Sequence, residues 1–171
     1  GANQRLAEKT ASNVRYLRRV FSLFPKAQVI VVTRDGRDVA CSLRKRTGRL
    51  PGAIVRWMND TKRGLEWRED SRVYSLRYED LVADFDGAVK GVCTFLGVDF
   101  LPELRSFHEA DYQYAATEKK GKGAEHNKRR EEQARSPLFD GRGKWRDCFT
   151  RWERCLVMAA AEKRLRALGY E

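Results

Sequence analysis

Arg34, Ser42 and Arg46 are the residues whose types and spacing point most directly to chemistry. A guanidinium presents a planar fork of donors to a phosphate, and a hydroxyl adds one more. Ser42 and Arg46 are four apart, so on a helix they share one face. A strand that delivers Arg34 to the start of that helix makes all three converge on one anion. The competing reading of Arg34-Asp35-Gly36-Arg37-Asp38 is a surface loop of mutual ion pairs, since short charged motifs recur by chance.

The elements that must position these groups are legible around them. Val29 to Val32 is a continuous β-branched run, too short for a helix and apolar on both faces. It predicts a central, fully buried strand of a parallel sheet. Thr33 and Arg34 break the run. Asp35, Gly36 and Asp38 supply turn and helix-start chemistry, and apolar periodicity resumes at Val39. The product is a strand–turn–helix unit with an arginine at the carboxyl end of the strand, where open α/β sheets bind ligands.

Upstream, Ser12 or Asn13 is the expected N-cap of a helix with Val14, Leu17, Val20, Phe21 and Phe24 on its apolar face, ended by Pro25. Downstream, a helix starts at Gly36 or Asp38, runs to about Arg46 and closes at Thr47-Gly48. Leu50-Pro51 opens another, whose stripe of Ile54, Trp57, Met58, Thr61 and Leu65 reads as core. A second strand is expected over 72–76. Asp84 caps a helix stopped by Gly97, and Thr150 with Glu153 forms a capping box for the last helix, which stops at Gly169.

The longer string Val-x-Arg-Asp-Gly-Arg-Asp-Val-x-x-Ser over 32–42 resembles the 3′-phosphate-binding segment of sulfotransferases that use 3′-phosphoadenosine 5′-phosphosulfate, PAPS. The likeness is to the group holding bacterial, tyrosylprotein and heparan sulfate sulfotransferases. It implies that Arg34 and Ser42 bind the 3′-phosphate, with Arg46 as a further cofactor contact of the tyrosylprotein branch. Glu8-Lys9-Thr10, followed by a helix and Phe24-Pro25-x-Ala27, resembles the Glu-Lys-Thr/Ser segment of the heparan sulfate enzymes. Alone, Glu8 and Lys9 are an ordinary exposed ion pair. The resemblance implies that Glu8 is the base that takes a proton from the acceptor, and that Lys9 stabilises charge on the sulfuryl oxygens.

Val73-x-x-Leu76-Arg77-Tyr78-Glu79-Asp80-Leu81 is similar to the same group and implies a cofactor contact for Tyr78, the alternative being a tyrosine that covers a sheet edge. Gly141-Arg142-Gly143-Lys144-Trp145-Arg146 resembles the late cofactor-binding loop. It implies Lys144, Arg142 and Ser136 at the 3′-phosphate or the bridging phosphate.

The implied fold class is α/β, a three-layer P-loop-like sulfotransferase fold, helix-rich with a small parallel sheet. It is expected to be incomplete at the N-terminus. Members of the group open with a strand and a Gly-x-Pro-Arg/Lys-Ser-Gly-Thr-Thr loop for the 5′-phosphosulfate, and this sequence has no such loop. One domain is expected over 1–171, the carboxyl-terminal portion of the enzyme. A mobile basic loop is expected over 117–135, where seven basic and four acidic residues fall.

Composition agrees. A chain of 171 residues with 42% hydrophobic content can bury one sizeable core. A net charge of +11 and a pI near 9.8 attract polyanions. No run reaches the length of a membrane span. The four cysteines form no Cys-x-x-Cys pair and the histidines sit apart from them, so no metal site is expected. Cys41 and Cys93 fall on apolar helix faces and read as buried free thiols, which leans towards a reducing, cytoplasmic setting. Two disulfides and a secretory-pathway lumen are the alternative.

The expected activity is transfer of a sulfuryl group from PAPS to a hydroxyl or amine, leaving 3′-phosphoadenosine 5′-phosphate. The acceptor is a small molecule, a glycan or a peptide, an acidic one included. The alternative is a non-catalytic nucleotide- or polyanion-binding module. Nucleic acid is not an expected partner, since charge alone suggests it and no helix-turn-helix, zinc or RNA-binding signature is present. Oligomeric state leaves no mark in the sequence.

Overall fold

A computed structural model of the chain describes residues 5–110, 132 and 135–170. Most of the basic loop expected over 117–135 lies outside the described residues. The chain divides into two compact units, Gly1–Tyr78 with Arg142–Glu171, and Glu79–Gly141.

The first unit is built on a parallel pair of strands, β1 (Val29–Thr33) and β2 (Val73–Arg77), in register from Val29↔Val73 to Thr33↔Arg77. Two helices connect them, α2 (Gly36–Thr47) and α3 (Leu50–Glu66), as a parallel crossover requires. The α2 boundaries follow from its caps. The Asp35 carboxylate accepts the Arg37 N–H at 2.8 Å, and Gly48, at φ 71°, sits in the left-handed region and returns its N–H to the Arg44 carbonyl. Helix α3 starts at Leu50-Pro51, since proline lacks the N–H that a first turn leaves unused. The terminal helix Arg151–Ala167 opens on the expected Thr150–Glu153 capping box.

The main core lies between α2, α3 and the terminal helix. Leu43, Ile54, Trp57, Phe149, Val157 and Leu165 are all buried in it. Removing one such side chain from water contributes about 1.5–3 kcal/mol. A second cluster joins Leu17 and Phe21 of α1 (Leu17–Leu23) to Val73, with Val29 and Val31 packed against it.

Three expectations are corrected here. Strand β1 is not buried on both faces, for Ile30 is 37% and Val32 57% exposed. Among the described residues β1 has one strand neighbour, and only its Val29 and Val31 face meets the α1 cluster. Neither Ser12 nor Asn13 caps the first helix. Both lie inside a 3-10 turn, Ala11–Tyr16, that precedes α1, and the Asn13 amide is drawn away to the Glu8 carboxylate. Cys41 is not a free thiol but forms a disulfide with Cys148, 107 positions away, with Cα atoms 6.1 Å apart. The apolar α2 face that carries Cys41 is the one against which the short helix Trp145–Cys148 packs. Cys93 is buried and free, as expected, and Cys155 is exposed and free. The leaning towards a reducing setting rested on buried thiols, and at Cys41 that support is gone.

In the second unit, α4 (Phe85–Leu96) is capped by Asp84, whose carboxylate accepts the Gly87 N–H at 2.9 Å, and ends at Gly97 at φ 65°. Phe85 stacks on Phe107 of the 3-10 segment Pro102–Glu109 with centroids 6.2 Å apart, and Asp86 pairs with Arg105. No described helix is long and apolar enough to cross a membrane.

Candidate functional site

The charged string after β1 divides its labour. Asp35 and Arg37 pair with each other: Arg37 Nη2 lies 2.7 Å and Nε 3.0 Å from the Asp35 carboxylate. Both side chains are nearly buried, and the Arg37 guanidinium lies 4.5 Å from the Trp145 ring. The ion pair of the competing reading is present, but it is buried at the start of α2 and not on a surface loop. Asp38, also buried, turns to the late loop and accepts the N–H groups of Gly143 and Trp145, each at 2.9 Å.

Arg34 is held differently. The Trp57 indole N–H donates to its main-chain carbonyl at 3.0 Å. Its guanidinium lies 4.3 Å over the Tyr78 ring, and Nη2 is 3.9 Å from the Asp38 carboxylate. An aromatic face and a carboxylate at that range orient a guanidinium.

Along β1 and past its carboxyl end lies a pocket of about 460 Å³, lined by every residue of the strand and by Glu8, Lys9, Arg34, Ser42 and Arg46. Ser42 and Arg46 reach it from the same face of α2, and both are exposed. Both oxygens of the Glu8 carboxylate accept hydrogen bonds, from the Thr10 hydroxyl and the Asn13 amide, so its direction is fixed within its own segment. Arg56 and Asp60 of α3 also line the pocket, and the sequence reading passed over them. Asp60 pairs with Arg15 and lies 3.8 Å from Arg56; the Arg15 bond raises the already high pKa of that guanidinium.

The other residues picked out from the sequence stand outside the pocket wall. Tyr78 belongs to the arrangement through Arg34. Arg142 and Lys144 sit on the exposed late loop that Asp38 anchors. Ser136 falls in the second unit, where its hydroxyl donates to the Glu132 carbonyl at 2.7 Å. Besides Arg56 and Asp60, sequence reasoning missed the role of Asp38. Its helix-start position was visible, but an acidic first turn is so common a signal that a tertiary partner is hidden behind it.

A family model described as "Sulfotransferase family" matches residues 1–102. Among solved structures, the sulfotransferase domain from the curacin biosynthetic pathway is similar, with a TM-score of 0.63 and 20% identity, over 99% of this chain and 64% of that one. Mouse sulfotransferase SULT7A1 complexed with PAP is similar with a TM-score of 0.59 and 17% identity, over 86% of this chain and 61% of that one. At such identities the likeness concerns the fold. The chain thus spans less than two thirds of the length of either structure. A comparison with curated protein sequences finds no match.

Proposed function

Since the chain belongs to the sulfotransferase family, we propose that the pocket along β1 binds the 3′-phosphate side of PAPS where Arg34 leaves the strand, and serves sulfuryl transfer to a hydroxyl or amine. The observation that carries this reading is the gathering of Glu8, Lys9, Arg34, Ser42 and Arg46 on one pocket wall. The donor set fits the group: two guanidiniums and an exposed hydroxyl suit a phosphate dianion, and a bound PAPS supplies an activated sulfuryl group.

Arg34 holds the 3′-phosphate with its fork, steadied by Trp57 and Tyr78. Ser42 donates its hydroxyl, and Arg46 adds charge one helical turn on. Glu8 takes the acceptor's proton on a carboxylate oxygen as the acceptor attacks, with Thr10 and Asn13 keeping the group aimed. Lys9 offsets negative charge that develops beside it. A small molecule, a glycan or a peptide, acidic ones included, is the acceptor class that such a basic protein draws in.

Calorimetric titration with 3′-phosphoadenosine 5′-phosphate, with 5′-AMP as control, tests the reading. The 3′-phosphorylated nucleotide is expected to bind about 10- to 100-fold more tightly, and Arg34→Ala is expected to abolish the difference. Equal binding of both nucleotides by the folded wild-type chain overturns the proposal.

A further inference from the structure

We infer that Asp38 is a positioning residue for 3′-phosphate recognition, one that never touches the nucleotide but ties the late loop that carries Lys144 to the turn that carries Arg34. The inference rests on the reading of the pocket proposed above. The Asp38 side chain is 1% exposed, so a solvated ligand cannot reach it. Its two oxygens are spent inside the protein. Oδ1 accepts the Trp145 N–H at 2.9 Å, and Oδ2 accepts the Gly143 N–H at 2.9 Å while lying 3.9 Å from Arg34 Nη2.

Lys144 stands between those two anchored amides. A buried carboxylate is costly unless its lone pairs are met, and here the late loop meets them. Displacing the loop would strand the charge, so the carboxylate fixes the main chain on both sides of Lys144. Gly143 is suited to the bend: its φ is +72°, and an added Cβ would lie 2.5 Å from Arg146 Nη1. The Cys41–Cys148 disulfide ties down the far end of the same segment, next to Ser42 in sequence. The Cys148 N–H also donates to the Lys144 carbonyl at 3.2 Å, and Asp38 holds the amides on either side of that residue.

The sign of the effect separates positioning from plain electrostatics. A carboxylate 3.9 Å from the phosphate-binding guanidinium opposes an anion through space. If that were its whole effect, Asp38→Asn would strengthen 3′-phosphate binding. As a positioning residue, Asp38→Asn weakens it, because the amide cannot accept both N–H groups as the carboxylate does.

The experiment measures the affinity ratio of 3′-phosphoadenosine 5′-phosphate to 5′-AMP for the wild type, Asp38→Asn, Lys144→Ala and the double variant. The ratio is expected to fall about tenfold in each single variant, one charge-assisted hydrogen bond's worth, and no further in the double variant. The affinity for 5′-AMP stays level. A ratio that is kept or raised in Asp38→Asn, or independent losses in the double variant, overturns the inference. A wild type with no preference overturns the pocket reading itself, which is a separate failure.

Hydrogen exchange on the wild type decides the matter if Asp38→Asn does not fold. The Gly143 and Trp145 amides are expected to be protected, and to slow further with 3′-phosphoadenosine 5′-phosphate but not with 5′-AMP. Unchanged exchange at both amides overturns the inference.

Discussion

The indole N–H of Trp57 donates to the main-chain carbonyl of Arg34 at 3.0 Å, while its ring lies over Gly36. One buried tryptophan of α3 therefore fixes the turn that aims the candidate phosphate ligand. A Cβ on Gly36 would sit 2.6 Å from ring carbons that have no room to move, since Trp57 is 4% exposed. Gly36→Ala should lower stability by about 1–3 kcal/mol, read from the urea midpoint. Trp57→Phe keeps much of the packing and removes the indole donor to the Arg34 carbonyl. It should weaken nucleotide binding as well as stability.

How far the site could be read from sequence depends on how local each cause is. The strand–turn–helix from Val29 to Ser42 was legible because a β-branched run, an Asp cap and a resuming helical period are signals within a dozen residues. Gly48, Gly97 and the Thr150–Glu153 box marked helix ends for the same reason. The Cys41–Cys148 pairing was not legible, since which cysteines meet is decided by packing across 107 positions. The exposure of Ile30 and Val32 was missed because an apolar run does not say what covers its second face. Asp38 was visible as an acid near a helix start, and its two partners on the late loop were not.

The guanidinium of Arg34 lies 4.3 Å over the Tyr78 ring, and this separates two roles for the tyrosine. If the ring steadies Arg34, Tyr78→Phe keeps nucleotide affinity. Tyr78→Ala then weakens it about 2- to 30-fold, the range of a cation–π contact. If the hydroxyl itself binds the cofactor, both variants lose equally. Arg34→Lys keeps the charge but not the fork, and should lose most of the preference for a 3′-phosphate. Titration calorimetry reads all three.

The Cys41–Cys148 bond closes a long loop, so its loss should cost about 2–5 kcal/mol through greater freedom of the unfolded chain. The paired variant Cys41→Ser with Cys148→Ser should melt lower than the wild type, and reductant should lower only the wild type. Alkylation of the denatured, unreduced protein provides the direct check. Two of the four cysteines, Cys93 and Cys155, should take label before reduction, and all four after it.

Acid should weaken the chain through Asp70. The Arg72 side chain, and after it the Arg72 N–H, donates to the Asp70 carboxylate, which holds its pKa down to about 2. The folded value lies below the unfolded one. The contribution is therefore fully present above the ordinary carboxylate pKa, and fades as the pH falls towards 2. In a melting series, Asp70→Asn should lie below the wild type at about pH 6, and the two curves should converge near pH 2. A constant gap across the series would assign the difference to packing instead.

Glu8 carries the sharpest division between structure and chemistry. Its carboxylate accepts from Thr10 and Asn13, an arrangement that would serve a structural brace as well as an aimed base. Glu8→Gln retains one acceptor oxygen and nearly the same shape, but cannot take a proton. In a preparation that transfers sulfate, the variant should lose about 10²- to 10⁴-fold in kcat, with unchanged affinity for 3′-phosphoadenosine 5′-phosphate. A brace predicts the reverse: a lower melting temperature for Glu8→Ala, little change for Glu8→Gln, and a kcat that follows the folded fraction. Because the base acts on the acceptor and not on the nucleotide, the two measurements together assign the residue. A loss of nucleotide affinity in Glu8→Gln would move Glu8 from the acceptor side of the pocket to the cofactor side.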